Sequence, residues 1–289
     1  MTIMRAVVAE SSDRLVWQEV PDVSAGPGEV LIKVAASGVN RADVLQAAGK
    51  YPPPPGVSDI IGLEVSGIVA AVGPGVTEWS AGQEVCALLA GGGYAEYVAV
   101  PADQVLPIPP SVNLVDSAAL PEVACTVWSN LVMTAHLRPG QLVLIHGGAS
   151  GIGSHAIQVA RALAARVAIT AGSPEKLELC RDLGAQITIN YRDEDFVARL
   201  KQETDGSGAD IILDIMGASY LDRNIDALAT DGQLIVIGMQ GGVKAELNPM
   251  IAANRVRPVI GTRLPIQQAA QAHELMLSGK TFGKILLTV

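Results

Sequence analysis

The residues best placed to do chemistry are glycines. Leu142-Val-Leu-Ile-His-Gly-Gly-Ala-Ser-Gly-Ile-Gly153 is an apolar run that ends in a glycine-rich turn and continues into an amphipathic stretch. Glycines at a strand-to-helix turn permit a tight bend and let backbone N–H groups approach a pyrophosphate, whose charge the positive helix end then holds. The turn departs from a strict G-x-G-x-x-G: counted from Gly148, the middle position is Ser150, with Gly151 beside it. Gly147, Gly148, Ser150, Gly151 and Ile152 are the candidate contacts. A turn that serves packing alone is the alternative. Its place on the first strand of an alternating strand–helix series favours dinucleotide binding.

The next strand tip selects the dinucleotide. An NAD site usually carries Asp or Glu there to bind the ribose 2′-hydroxyl, whereas this chain reads Thr170-Ala-Gly-Ser-Pro174 with no acid. Ser173 suits a helix N-cap, Pro174 the first helical position, and Lys176 is then the third helical residue. A lysine there opposes the helix dipole by roughly 0.3 kcal/mol or more unless an anion sits nearby. The 2′-phosphate of NADPH would supply that anion; the alternative is a Lys176 in solvent, paired with Glu175 or a neighbour. NADPH is the cofactor expected. Cys86, Cys125 and Cys180 lie far apart without a C-x-x-C pair, and His136, His146, His155 and His273 are scattered. Neither a disulfide framework nor a metal site is expected.

The elements that must position these residues change character along the chain. Of 17 prolines, 12 lie at or before Pro121, so the front section reads as short strands broken by turns. Strands are expected over 5–10, 15–20, 30–35, 66–72, 84–89 and 94–100, with a short helix over 41–48. After Pro121, strands over 141–146, 166–171, 186–190, 210–215 and 233–238 alternate with helices over 154–165, 175–183, 194–203 and 220–229. That order predicts a parallel sheet with right-handed crossovers. A helix over 266–277 and a strand over 284–289 close the chain.

Composition bounds the partners. The chain has 289 residues, 49% apolar and 17% charged, which is enough for two domains and excludes disorder. With 20 Lys and Arg against 29 Asp and Glu, the formal charge is −9, so nucleic acid and anionic membranes are disfavoured. No apolar run is long enough to span a bilayer and residues 1–5 carry no signal-peptide core, so a soluble cytoplasmic protein is expected.

At this point the chain resembles the medium-chain dehydrogenase/reductase superfamily, in its zinc-independent quinone oxidoreductase group. The resemblance rests on Gly28-Glu-Val-Leu-Ile-Lys-Val-Ala-Ala-Ser-Gly-Val-Asn-Arg-Ala-Asp43, Gly62-Leu-Glu-Val-Ser-Gly67, the Gly147–Gly153 turn, Ala171-Gly-Ser-Pro-Glu-Lys176 and residues 269–284. It implies an α/β protein with a GroES-like β-rich catalytic domain over 1–121 and 256–289. A Rossmann domain, a doubly wound parallel sheet over 122–255, would hold NADPH, and the assembly would be a homodimer or homotetramer. Zinc enzymes of the superfamily place a cysteine where this chain has Asn40 and a histidine where it has Leu63, and neither replacement is a credible zinc ligand. Without a Lewis acid, alcohol oxidation loses its main device, and a quinone or enone acceptor suits the site better.

By the same resemblance, Asn40 contacts the nicotinamide ribose, Tyr51 lines the substrate site as a candidate proton donor, and Thr126 sits near the cofactor. Lys176 and Tyr191 flank the 2′-phosphate and Gly172 admits it. Gly238 and Met239 pass close to the nicotinamide, and Lys284 lies near the cofactor. Plainer roles stand beside these: Asn40 as a helix cap, Tyr191 closing a core edge, Asp43 as a structural acid, Glu64 holding backbone. One departure is evident. Several tens of residues that the family has between Gly238 and the tail are absent, with the join near 248–250. Either the chain is internally shortened or a segment lies outside the sequence given; the second is preferred, because a deletion would remove an edge strand that commonly pairs across the family's dimer.

Overall fold

The structure is a computed structural model that describes residues 3–11, 14–244, 260–278 and 284–288. They form two compact units, Met1–Glu194 and Asp195–Val289. The architecture is α/β, an antiparallel β-rich region followed by parallel β/α repeats.

In the first unit, β1 (Ile3–Ser11) and β2 (Arg14–Pro21) make an antiparallel ribbon. A five-stranded antiparallel sheet follows, in the order β6-β3-β4-β5-β7, built from β3 (Glu29–Ser37), β4 (Glu64–Val72), β5 (Glu84–Leu88), β6 (Tyr97–Pro101) and β7 (Val105–Pro107). Alternation sends Val30 and Ile32 of β3 inward, against Val65, Val69, Val85, Val98 and Val100. The start of β4 breaks that alternation: Glu64, Val65, Ser66 and Gly67 are all buried, so a carboxylate enters the interior.

Between strands of this sheet lies α1 (Arg41–Ala47), and after it comes α2 (Pro121–Val127), which runs on as a π-helical stretch, Trp128–Thr134. Then β8 (Leu142–His146), α3 (Gly151–Ala162), β9 (Arg166–Ala171), α4 (Pro174–Asp182) and β10 (Ile187–Asn190) set three parallel strands side by side in the order β10-β9-β8. All five residues of β8 are buried, as expected of a strand covered on both faces.

The second unit holds α5 (Phe196–Glu203), β11 (Ala209–Asp214), α6 (Leu221–Ala227) and β12 (Leu228–Val236), with β11 and β12 parallel. Beyond them, β13 (Ile260–Pro265) and β14 (Lys284–Thr288) pair in parallel around α7 (Ala269–Leu277). The Arg223 guanidinium lies 4.1 Å from the centre of the buried Phe196 ring and pairs with Asp195 at 3.1 Å, which ties α6 to the start of α5.

Several boundaries differ from the sequence expectation for identifiable reasons. The helix expected from 154 begins at Gly151, because Ser150 Oγ accepts the Gly153 N–H at 3.0 Å and makes helix of residues that read as turn. The strand expected from 94 starts at Tyr97; Ala95 makes only an isolated bridge with Ala6. In β12 the pairing shifts register between Ala209 and Ile211 around a positive-φ Asp231, so the regular ladder is Gln233–Val236. The helices α2 and the strands β7 and β13 lie where no element was expected. The join near 248–250 lies outside the described residues.

Candidate functional site

The glycine turn is built for close backbone approach. Gly147 has φ 71°, which few other residues adopt. A Cβ on Gly148 would sit 2.7 Å from Ile169 Cβ, and one on Gly153 would sit 2.6 Å from the Gly148 carbonyl oxygen. Gly151 differs: its nearest neighbour would be Val123 Cγ1 at 3.6 Å, so this position is open. Ser150 N–H donates to the Gly147 carbonyl at 2.9 Å, while the N–H groups of Gly151 and Ile152 find no acceptor among the described residues. Two unpaired donors on the first turn of a 12-residue helix are what a pyrophosphate needs. The residues present therefore fit a dinucleotide.

One strand over, Ser173 caps α4 by accepting the Lys176 N–H, with Pro174 at the first helical position. Lys176 is exposed, and among the described residues its ammonium has no ion-pair partner, so it is not paired with Glu175. Glu175 instead bonds the Ser173 side chain, which holds its carboxyl below the usual range. Parallel pairing brings Asn190 opposite Ala171, and Tyr191 N–H donates to the Ala171 carbonyl at 3.2 Å. The Tyr191 ring then lies over Gly172, where a Cβ would be 2.6 Å from the Tyr191 hydroxyl. Gly172, Ser173, Lys176 and Tyr191 thus meet at the carboxyl ends of β9 and β10. Gly172→Ala must displace the Tyr191 ring; affinity for the NADPH expected from the sequence should fall about tenfold with little change in melting temperature, measured by fluorescence titration and thermal unfolding.

A second cluster surrounds Asn40. Its backbone N–H donates to Asp43 Oδ2 at 2.7 Å at the start of α1, and its side-chain Nδ2 donates to Glu64 Oε1 at 2.8 Å. Glu64 is 3% exposed, and its Oε2 accepts the Glu122 N–H at 3.0 Å. Glu64 therefore joins α1 to α2, and it serves α2 as a cap, since Leu120 at the N-cap offers no side-chain oxygen. Gly38 makes room for it: a Cβ there would lie 2.5 Å from Glu64 Cδ and 2.7 Å from Cγ. Tyr94 Oη donates to Asp43 Oδ2 at 3.1 Å, and Thr126 Oγ1 donates to Glu122 Oε1 at 3.2 Å. Sequence reasoning had assigned Glu64 a backbone-holding role, which its bond to Glu122 supplies, but it missed Tyr94 and Glu122. Glu122, directly after a proline at a helix start, was the available signal.

Burial pushes the carboxyls of Asp43, Glu64 and Glu122 above their ordinary values, and the neighbouring carboxylates push Glu64 and Glu122 further. Burial and the nearby Asp43 raise the Tyr94 hydroxyl well above its usual range. A carboxyl raised by folding stabilises the fold below its unfolded value and loses that contribution as pH rises through the folded value. Glu122→Gln cannot titrate. Its melting temperature is accordingly expected to exceed wild type by a few degrees at pH 8 and by less at pH 5, a difference thermal unfolding at the two pH values measures.

The remaining sequence candidates fall on other elements. Tyr51 stands on the loop after α1, 50% exposed, its hydroxyl without a hydrogen bond among the described residues. Gly238 and Met239 belong to the second unit, following β12: Gly238 N–H donates to the Asp214 carbonyl at 3.3 Å, and Met239 is exposed. Lys284 opens β14, with its side chain outside what is described. Leu63 is a buried hydrocarbon, Asn40 is engaged with Glu64, and His146 Nδ1 bonds Thr170 Oγ1 at 3.0 Å. An amide and a hydrocarbon at positions 40 and 63 do not fit zinc, and among the described residues no three His, Cys, Asp or Glu side chains are arranged to hold a metal ion. Cys86 and Cys180 are buried free thiols and Cys125 an exposed one.

Known proteins resemble this chain along its length. Residues 26–110 match the alcohol dehydrogenase GroES-like domain, and residues 151–278 match the zinc-binding dehydrogenase family. A 2-haloacrylate reductase of Burkholderia sp is 30% identical over 329 positions, covering 99% of this chain and 98% of the relative. Since the chain has 289 residues, at least 40 of those positions (329 less 289) have no counterpart in it. The quinone oxidoreductase of Rattus norvegicus is 31% identical, covering 90% of this chain and 88% of the relative. The phthioceranic/hydroxyphthioceranic acid synthase of Mycobacterium tuberculosis is 36% identical over 78% of this chain, which spans only 11% of that protein's length. Among solved structures, a mycobacterial protein complexed with NADPH superposes with TM-score 0.76 at 29% identity, and both chains are covered in full, 100% each. The CurK enoyl reductase superposes with TM-score 0.74 at 25% identity, over 100% of this chain and 99% of that one.

Proposed function

The chain belongs to the medium-chain dehydrogenase/reductase superfamily, and on that premise we propose that it is an NADPH-dependent oxidoreductase that reduces a quinone or an activated enone without zinc. In this reading residues 1–121 and 256–289 make the catalytic domain and 122–255 the cofactor domain. The observation that carries it is the tip of β9, acid-free and flanked by an uncommitted Lys176.

NADPH, when bound, supplies the hydride. The protein's part is to bind, orient and exclude water. The unpaired N–H groups of Gly151 and Ile152 hold the pyrophosphate, with Gly147, Gly148 and Ser150 shaping the turn. Lys176, Ser173 and Tyr191 hold the 2′-phosphate over Gly172. Asn40 and Thr126 hold the nicotinamide riboside; Gly238, Met239 and Lys284 are cofactor contacts by the family resemblance alone. Zinc is excluded from the reading by the donor set: an amide held by Glu64 and a buried leucine stand at the two ligand positions. The proton that follows hydride comes from solvent when the product is a hydroquinone, and Tyr51 is the candidate donor when it is a saturated ketone. Tyr51→Phe is then expected to slow enone turnover and leave quinone turnover unchanged.

The resemblance to a 2-haloacrylate reductase and to an enoyl reductase favours a second reading, reduction of an activated alkene such as an alkenal or enoyl thioester. Following NADPH absorbance with a panel of quinones and enones tests both. Turnover with quinones is expected; turnover with activated alkenes alone selects the second reading, and NADPH binding without turnover on either panel overturns both in favour of a redox sensor.

A further inference from the structure

The direction of two hydrogen bonds in the carboxylate cluster defines what the site can offer a ligand. Thr126 has a single hydroxyl proton, and it points to Glu122 Oε1, one helical turn earlier on α2. A hydroxyl so committed can only accept. Asn40 is fixed in the same sense: its Nδ2 faces Glu64 Oε1, so its Oδ1 is turned from the carboxylate. Glu122 stands in the first turn of α2, where the helix dipole favours an acid, but that does not account for its hydrogen bonding. Its Oε2 is buried with no hydrogen-bond partner, no cation pairs with it among the described residues, and its one side-chain bond is to Thr126. A half-satisfied buried carboxyl costs stability, and what the molecule gains is a fixed Thr126. That residue is well placed for a ligand. It lies three positions after Val123, on the face of α2 that borders the open Gly151 position of the glycine turn.

We propose that Glu122 and Glu64 are positioning residues that present Thr126 Oγ1 and Asn40 Oδ1 as hydrogen-bond acceptors to the donor-bearing end of the cofactor, the carboxamide N–H and ribose hydroxyls of the nicotinamide riboside. The inference rests on the NADPH reading above and adds to it the polarity of the site. As an ionised carboxylate, Glu122 can only take the Thr126 proton. A glutamine of the same shape can present its own N–H to Thr126 Oγ1 and compete with the cofactor for it. The adenosine half of the cofactor, held by Lys176 and Tyr191, touches neither pair.

The test compares two ligands on the full-length protein: NADPH, and 2′,5′-ADP, which lacks the nicotinamide riboside. In Glu122→Gln, NADPH binding is expected to weaken about tenfold while 2′,5′-ADP binding stays within about twofold, by titration calorimetry. Thr126→Val is expected to show the same selective loss, and adding Glu122→Gln to it is expected to change nothing more. Glu64→Gln, which leaves one oxygen for two donors, is expected to follow Glu122→Gln. Equal weakening of both ligands would mark a structural role and overturn the inference, as would unchanged NADPH binding in Glu122→Gln, or additive losses in the double variant. A wild-type protein that binds neither ligand overturns the NADPH reading itself, and the inference with it.

Discussion

Replacing Lys176 with alanine is expected to weaken NADPH binding on the order of 10- to 100-fold and to leave NADH binding within about twofold, measured as dissociation constants by fluorescence titration. The asymmetry follows from the chemistry of the two ligands, which differ only by the 2′-phosphate. Lys176 sits in the first turn of α4, where the helix dipole disfavours a cation. No carboxylate among the described residues forms an ion pair with it, and Glu175 in the same turn bonds Ser173 instead. A lysine in such a place is uncommitted until an anion arrives. Removing it is expected to stabilise the free protein slightly while weakening the complex, a combination that a purely structural lysine would not show. Equal losses for the two dinucleotides would remove the phosphate assignment.

The turns at Gly147–Gly153 and Gly172–Lys176 were readable in the sequence because their determinants are local. A turn, its cap and the first residues of a helix fall within about ten positions, and Gly147–Gly153 and Gly172–Lys176 each carry their own geometry. The strand Arg166–Ala171 was read to the residue, since an apolar run between two turn signals leaves little freedom at its ends. The carboxylate cluster is the opposite case. Glu64 meets Glu122 across 58 residues, and Tyr94 meets Asp43 across 51, distances at which no spacing rule applies. A buried carboxylate between Gly62 and Gly67 was visible; its partners were not. The helix that carries Thr126 escaped notice for another reason. Its buried residues Val123, Val127, Leu131 and Ala135 recur every four positions, a longer period than an α-helix keeps, and the chain meets it by passing into π-helical geometry after Val127. At that passage the Thr126 carbonyl accepts from Asn130 Nδ2 at 2.8 Å and from Ser129 Oγ at 3.2 Å.

Gly38→Ala is expected to lower stability by about 3 kcal/mol or more, a fall in melting temperature on the order of 5–10 °C, and to weaken NADPH binding at the same time. The position has no positive φ, so backbone strain is not the cause. The cause is volume. The new methyl would overlap Cγ, Cδ and Oε1 of Glu64, and with the methylene as well as the oxygen in the way, no small rotation relieves it. Glu64 must leave its place, and both of its hydrogen bonds go with it. The first turn of α2 then loses its cap, the Asn40 amide loses the group that orients it, and a 3% exposed carboxylate seeks water through a packed sheet. The double variant Gly38→Ala with Glu64→Ala separates this account from a general effect on β3. If the clash with Glu64 is the origin, truncating Glu64 makes the methyl harmless, and the double variant should be about as stable as Glu64→Ala alone. Additive losses would place the damage elsewhere and leave Glu64 without its structural role.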